Sequence, residues 1–239
     1  MRSDTDVNHN SSARSFQSLA KIGSLSLVLL GLNACTTVVI DEYRQSASPM
    51  QGGEAVVVLG RRHSSDYETE PDLVECIGDV LASGNSGIGV IPEQEFLDSL
   101  YPWFEPRTAP MNLKRLNRLV EQQDVAQAIA DYHISYIIWV DGNTETTNSS
   151  GSIGCSIGAG GAGCFGFGTW DKESDYEASI WDYDKRQLSG KISAGATGTS
   201  YMPAVVVPIP MVARVQANAC KGMGAQLRSF LLPKDAAAE

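Results

Sequence analysis

The chain has no apolar run long enough to cross a membrane as a helix. Its most apolar stretch, Ile22 to Leu32, is about half of the roughly 20 residues that a ~30 Å hydrocarbon core requires. Histidine is scarce, with only His63 and His133 after the first 34 residues, and no Cys-x-x-Cys pair occurs, which leaves poor material for a zinc site. There is no basic run beyond the amino-terminal leader, and the formal net charge is −10. An acidic surface repels phosphate backbones and anionic headgroups, which speaks against nucleic-acid partners and against attachment to lipid through surface charge. The serine in Gly84-Asn85-Ser86-Gly87 lacks a G-x-S-x-G elbow, so this segment reads as a helix stop. Gly158 to Gly163 satisfies G-x-G-x-x-G, yet it lies between two cysteines without the strand and helix that a dinucleotide site needs. Neither a cofactor nor a metal is expected.

What is present begins with an export signal. A polar leader carrying Arg14 and Lys21 runs into the apolar stretch and then into Leu32-Asn33-Ala34-Cys35. Leu at minus three, Ala at minus one and Cys at plus one resemble the bacterial lipobox, which implies acylation of Cys35 and removal of residues 1–34. The leader holds three basic and two acidic residues, so its loss moves the formal charge from −10 to −11. Thr36 stands where inner-membrane retention prefers Asp, and by that resemblance the outer membrane, with the domain facing the periplasm, is the expected place. Attachment would then come from acyl chains. Residues 35–53, rich in Ser, Gln and Gly and containing Pro49, show no apolar period and read as a flexible tether. Cys76, Cys155, Cys164 and Cys220 remain, an even number for an oxidising compartment. Of the three possible pairings, Cys155 with Cys164 around a Gly-rich loop, and Cys76 with Cys220 between two helices, are favoured.

A single domain over 54–232 is expected, with 233–239 a disordered tail. Ala55 to Gly60 reads as a buried strand, and Leu73, Ile77 and Leu81 as one face of a helix that starts near Pro71. Ile88 to Ile91 is a second strand and Glu93 to Leu100 a short helix. Two helical segments span Leu113 to Tyr132, followed by a strand from Ile134 to Val140. A hairpin over residues 176–197 and a helix over about 213–231 close the chain, the latter weakened by Gly222 and Gly224 at roughly 1 kcal/mol each relative to Ala. This order predicts an α/β (α+β) domain: one mixed sheet of four to five strands covered by helices, with the Gly-rich loop inserted before the last hairpin and helix.

The Val-Val-Val-Leu-Gly strand, a helix stopping at Gly84, Ala130-Asp131-Tyr132 leading into Ile137-Ile138-Trp139-Val140-Asp141-Gly142, and Ile180-Trp181-Asp182-Tyr183 resemble a known α/β domain. It is shared by the curli-secretion channel lipoprotein, the penicillin-binding-protein activator lipoproteins and the TolB amino-terminal domain. The resemblance implies a non-enzymatic binding or assembly role in the envelope and transfers no functional residue. Two apolar segments are the expected partner surface: Tyr101, Trp103 and Phe104 in one, and Tyr201, Val206, Ile209 and Met211 in the proline-studded stretch 201–212. An alternative is an oligomeric secretion-channel component. Residues 143–152 are polar apart from Gly and residues 154–168 lack bulky alternation, so no pore strand is expected there. A hydrolase built on His63 with Asp66 is the remaining alternative. His133, at a helix-to-strand junction, reads as structural.

Overall fold

A computed structural model describes residues 36–46, 49–61, 69–84, 88–105, 108–110 and 112–233. Cys35, His63 and Asp66 lie outside them, as do the leader and the end of the tail.

Among the described residues one mixed sheet of six strands is covered by five helices, so the expected class holds with a larger sheet. The strands are β1 (Thr36–Arg44), β2 (Ala55–Gly60), β3 (Gly89–Ile91), β4 (Ile134–Gly158), β5 (Gly161–Asp182) and β6 (Gln187–Pro208). The helices are α1 (Pro71–Ala82), α2 (Glu93–Ser99), α3 (Leu113–Leu119), α4 (Gln123–Asp131) and α5 (Val215–Leu231). Strand order is β1-β6-β5-β4-β2-β3. The pairs of β2 with β3 and β4 are parallel, and those of β4 with β5, β5 with β6 and β6 with β1 are antiparallel.

The period-two alternation of strands divides the core into two. Val56, Val58, Tyr136, Ile138, Val140, Ala178 and Ile192 point to one face, where α1 and α5 supply Leu73, Ile77, Met223 and Leu227. Val57, Leu59, Ile137, Trp139 and Trp181 point to the other, where α2, α3 and α4 supply Phe96, Leu116, Val125 and Ile129. The uniformly apolar β2 is buried throughout because both of its faces are covered. Pro71 opens α1 where a missing N–H costs nothing, and the Asn112 side chain accepts from the Arg115 N–H to start α3.

Residues 36–44 are a strand where a tether was expected. Only Val38 and Ile40 face the core, while Thr37, Val39, Asp41 and Tyr43 are exposed, so an edge strand with one inward pair leaves little apolar period to read. Glu42 fastens it to α5 by accepting from Gln226 Nε2 at 2.6 Å, and to its own strand by accepting from Arg44 Nε at 2.8 Å. Burial works to raise the Glu42 carboxyl, but these hydrogen bonds and the Arg44 charge outweigh it and hold the pKa below its ordinary range.

Both favoured disulfides are formed. Cys76 on α1 joins Cys220 on α5, with Cα atoms 6.2 Å apart. Cys155 and Cys164 face each other across β4 and β5 with Cα atoms 4.0 Å apart, and the expected glycine loop is a strand pair closed by Ala159-Gly160.

Candidate functional site: a charge-free three-stranded arm

The last core residues are Val140 on β4, Tyr176 on β5 and Ala196 on β6, and all three strands continue past them. From there they form an arm that no described helix covers. At its root Glu70 accepts from the Thr144 N–H at 2.8 Å and from the Tyr176 hydroxyl at 3.1 Å, and Thr144 Oγ1 lies 2.7 Å from that hydroxyl. Beyond Thr144, no described strand or loop pairs with β4 on the side away from β5.

The other side of the arm is closed. After Pro208 the chain turns back along β6: Ile209 N donates to Pro203 O at 3.0 Å, and Tyr201 and Met211 exchange backbone bonds at 2.9 and 2.7 Å. Next to this return segment, β1 begins, with Thr36 opposite Gly198 and the strand running away from the tip. Thr36, the first described residue of β1, therefore stands at the root of the arm.

No Asp, Glu, Lys, Arg or His lies between Glu145 and Asp171, or between Lys191 and Arg214, and the distal arm, residues 146–170 with β6 and its return segment from Thr199 to Val212, falls inside these intervals. Its surface is uncharged and mixed: Ile157 is 90% exposed, Val205 75%, Phe165 64% and Val207 62%, while β4 exposes Thr147, Asn148, Ser149, Ser150 and Ser152. The alternation Phe165-Gly166-Phe167-Gly168 places both rings on one face, where Phe167 meets Tyr201 with centroids 6.2 Å apart. Trp170 pairs with Ser200, and Tyr201 with Thr169, so one large aromatic from each strand stands where the charge-free part begins.

The charged rows start just below. On the face away from α1 and α5, β5 presents Asp171, Glu173, Asp175 and Glu177, beside Asp141 and Glu145 of β4. Glu145 is opposite Glu173, and Asp141 opposite Glu177. Arg61 pairs with Asp141 at 3.6 Å and Lys191 with Glu177 at 2.7 Å. Glu173 and Asp175 make no ion pair among the described residues. Helices α2 to α4 cover only the β2 and β4 side of this face. A trough of about 370 Å³ runs over Asp175, Glu177, Ser193 and Gly195, with exposed Val39 and Tyr43 on the edge strand.

The two expected partner segments are therefore not one surface. Val206 and Ile209 are exposed on the arm, with Tyr201 and Met211 half-buried beside them. In the other segment Tyr101 is 70% exposed, but Phe104 is buried and is corrected to a core residue. Its ring lies edge-on to Phe96 at 4.9 Å and stacked with Trp139 at 6.3 Å, because the turn after α2 folds this aromatic under the helices. Trp103 is half-buried and lines a separate cleft of about 500 Å³ with Pro110, Leu119, Arg115 and Arg118. His133 is exposed at φ 54°, and its carbonyl accepts from Ala55 N, a backbone role at the start of β4. Among the described residues no group of three or more His, Cys, Asp or Glu could hold a metal ion. The expectation of no pore strand over residues 143–170 rested on the polar stretch 143–152 and the lack of bulky alternation over 154–168; in the structure these residues form a long hairpin of β4 and β5. The two charge-free intervals were the signal for it.

No family model matches the chain, and no curated protein does. It is similar to solved structures of PelC from Paraburkholderia phytofirmans. A dodecamer of a PelC substitution variant has 11% identity and a TM-score of 0.39, and a second PelC dodecamer has 10% and 0.36. Each comparison covers 82% of this chain and 99% of the other. A likeness this loose does not say what the chain does.

Proposed function

We propose that this chain is a non-enzymatic envelope lipoprotein, a binding or assembly module anchored through Cys35, and that the distal arm enters the bilayer holding that lipid. One observation carries the reading: the last charges of β4 and β5, Glu145 and Asp171, stand next to the level where Thr36 joins the sheet opposite Gly198, and β6 carries none beyond Lys191. An acyl chain on the next residue and the apolar tip would then start from the same level. Hydrocarbon tolerates apolar side chains and excludes charge, and Trp and Tyr favour its boundary, which is where Trp170 and Tyr201 stand. From Gly161 to Thr169 β5 runs nine residues, about 30 Å, which is within the 9–11 residues a membrane-crossing strand uses. Thr36 in place of an acidic residue supports the outer membrane, with the body in the periplasm.

The free edge of β4 favours the second reading, an oligomeric channel component. Hydrocarbon does not tolerate unpaired strand edges, so an arm at that depth needs partner strands from other copies.

The test uses the full chain with Cys35→Ser, so that no lipid is attached, floated with vesicles of neutral phosphatidylcholine. The chain is expected to rise with the vesicles, and Phe165→Asp with Val205→Asp to stay in the aqueous layer. Equal flotation of the two would show that the arm is not the membrane-facing part.

A further inference from the structure

The rows below the arm carry a charge conflict that the single chain leaves open. Glu145 faces Glu173 and Asp141 faces Glu177, and like charges opposed across strands destabilise a sheet. Arg61 pairs with Asp141 and Lys191 with Glu177, while among the described residues Glu145, Glu173, Asp175 and Asp171 make no ion pair, although Asn143 donates to Glu145 and Thr199 to Asp171; they form an acidic row on a half-face that no described helix covers. The trough beside it exists because Gly195 and Ser193 raise no bulk between β5 and the edge strand.

The opposite situation holds on α3. Its sequence Leu-Lys-Arg-Leu-Asn-Arg-Leu has three cations and no acid, in a chain where acids outnumber bases 28 to 18. Arg115 and Arg118, three positions apart, share a side of the helix and line the Trp103 cleft. Neither makes an ion pair among the described residues. Both guanidiniums are exposed over an apolar floor of Trp103, Pro110 and Leu119. Planar forks of this kind suit carboxylates.

From these two surfaces we propose a docking joint between copies of this chain: Arg115 and Arg118 of one copy seat on the Glu173 and Asp175 row of the next. The inference rests on the assembly reading above and names its contact. The two patches are different parts of one molecule, so the joint is head-to-tail and propagates into a ring when the rotation closes. It covers the bare half of the sheet and answers the opposed carboxylates with cations that make no ion pair among the described residues.

Mixing charge-reversed chains tests it. Full-length protein extracted in detergent is sized by sedimentation across a dilution series, for the wild type, for Arg115→Glu with Arg118→Glu, and for Glu173→Arg with Asp175→Arg. Like charges brought together at an interface cost several kcal/mol, so each double variant should need about a hundredfold more protein to assemble. Equimolar mixing of the two variants should restore assembly, because each then finds the opposite charge on its neighbour. Lys114→Glu with Lys172→Glu, an equal charge change off the joint, should leave it unchanged, and circular dichroism should show every variant folded. A wild type that stays monomeric, double variants that assemble like it, or a mixture that fails to assemble would each overturn the joint. Vesicle flotation in the Cys35→Ser background separates this from the arm: reversal variants that float but do not assemble keep the membrane reading, and assembled chains that do not float keep the joint alone.

Discussion

Two glycines on α5 show how a residue's cost depends on its neighbours. In an isolated helix Gly222 and Gly224 each lose about 1 kcal/mol to Ala. In this fold a Cβ at Gly222 would lie 2.9 Å from Ile40 Cδ1, and one at Gly224 would lie 2.7 Å from Val80 Cγ1 and 2.8 Å from its Cβ. The missing side chains let α5 lie close on β1 and α1, and Val80, stiff at its branched carbon, cannot step aside. Gly224→Ala should therefore destabilise by about 1–3 kcal/mol in spite of its better helix propensity. Adding Val80→Ala should recover much of the loss, read as a rise in the midpoint of thermal unfolding. A midpoint that increases for Gly224→Ala alone would mean that the contact is slack. None of this was legible in the sequence, which shows a glycine's propensity but not what packs against it. Cys76 and Cys220 were easier, because each sits on a readable amphipathic helix.

At the level of elements, the strands buried on two faces were plain from β-branched runs such as Ala55 to Gly60, and α1 from Leu73, Ile77 and Leu81. The elements that escaped have one inward pair or none. β1 is such a case, and so is the arm, whose Ser- and Gly-rich β4 resembles a loop because no core imposes a period on it. Its free edge can be located by parity. Val140 O accepts from Arg61 N, and Thr144 N donates to Glu70, so even-numbered residues turn their backbone groups away from β5 at the root. The bulge between Thr146 and Asn148 shifts this to odd numbers, and the 4.0 Å Cα separation of Cys155 and Cys164 marks the same kind of pair, not hydrogen-bonded to each other. Ile153 then aims its N–H outward. Ile153→Pro should keep the hairpin while removing a donor that a neighbouring strand would use. Vesicle-bound chains cross-linked with an amine-reactive reagent should show fewer copies per cross-linked species for this variant than for Ile153→Val. The same ladder of species for both would count against pairing along this edge.

At the scale of the whole molecule the body and the arm divide the physics between them. No residue from Asp141 to Asp175, and none from Thr197 to Val212 apart from Ala204 and Ser200, belongs to the buried set except Gly142 and Ser174 at the root. Neither core cluster includes a residue of the distal arm. The body should then fold without it, held by two apolar layers and the disulfide between α1 and α5. Excising 146–172 and joining Glu145 to Glu173 through an Asn-Gly turn would close β4 on β5 across a hydrogen-bonded pair with a two-residue hairpin loop that suits the strand twist. β6 would keep its pairing with β1 and with β5 below Lys172. The shortened chain should retain its helical circular dichroism and unfold cooperatively within a few degrees of the parent, since it loses exposed surface and little buried area. In the Cys35→Ser background it should lose flotation with neutral vesicles. Loss of cooperative unfolding would mean that the arm is part of the folding unit, and retained flotation would assign lipid contact to the body. The division also explains why the body is legible in the sequence and the arm is not: a core writes its period into the chain, whereas a surface built to meet lipid or another copy is constrained mainly in what it omits, here every charged side chain between Glu145 and Asp171.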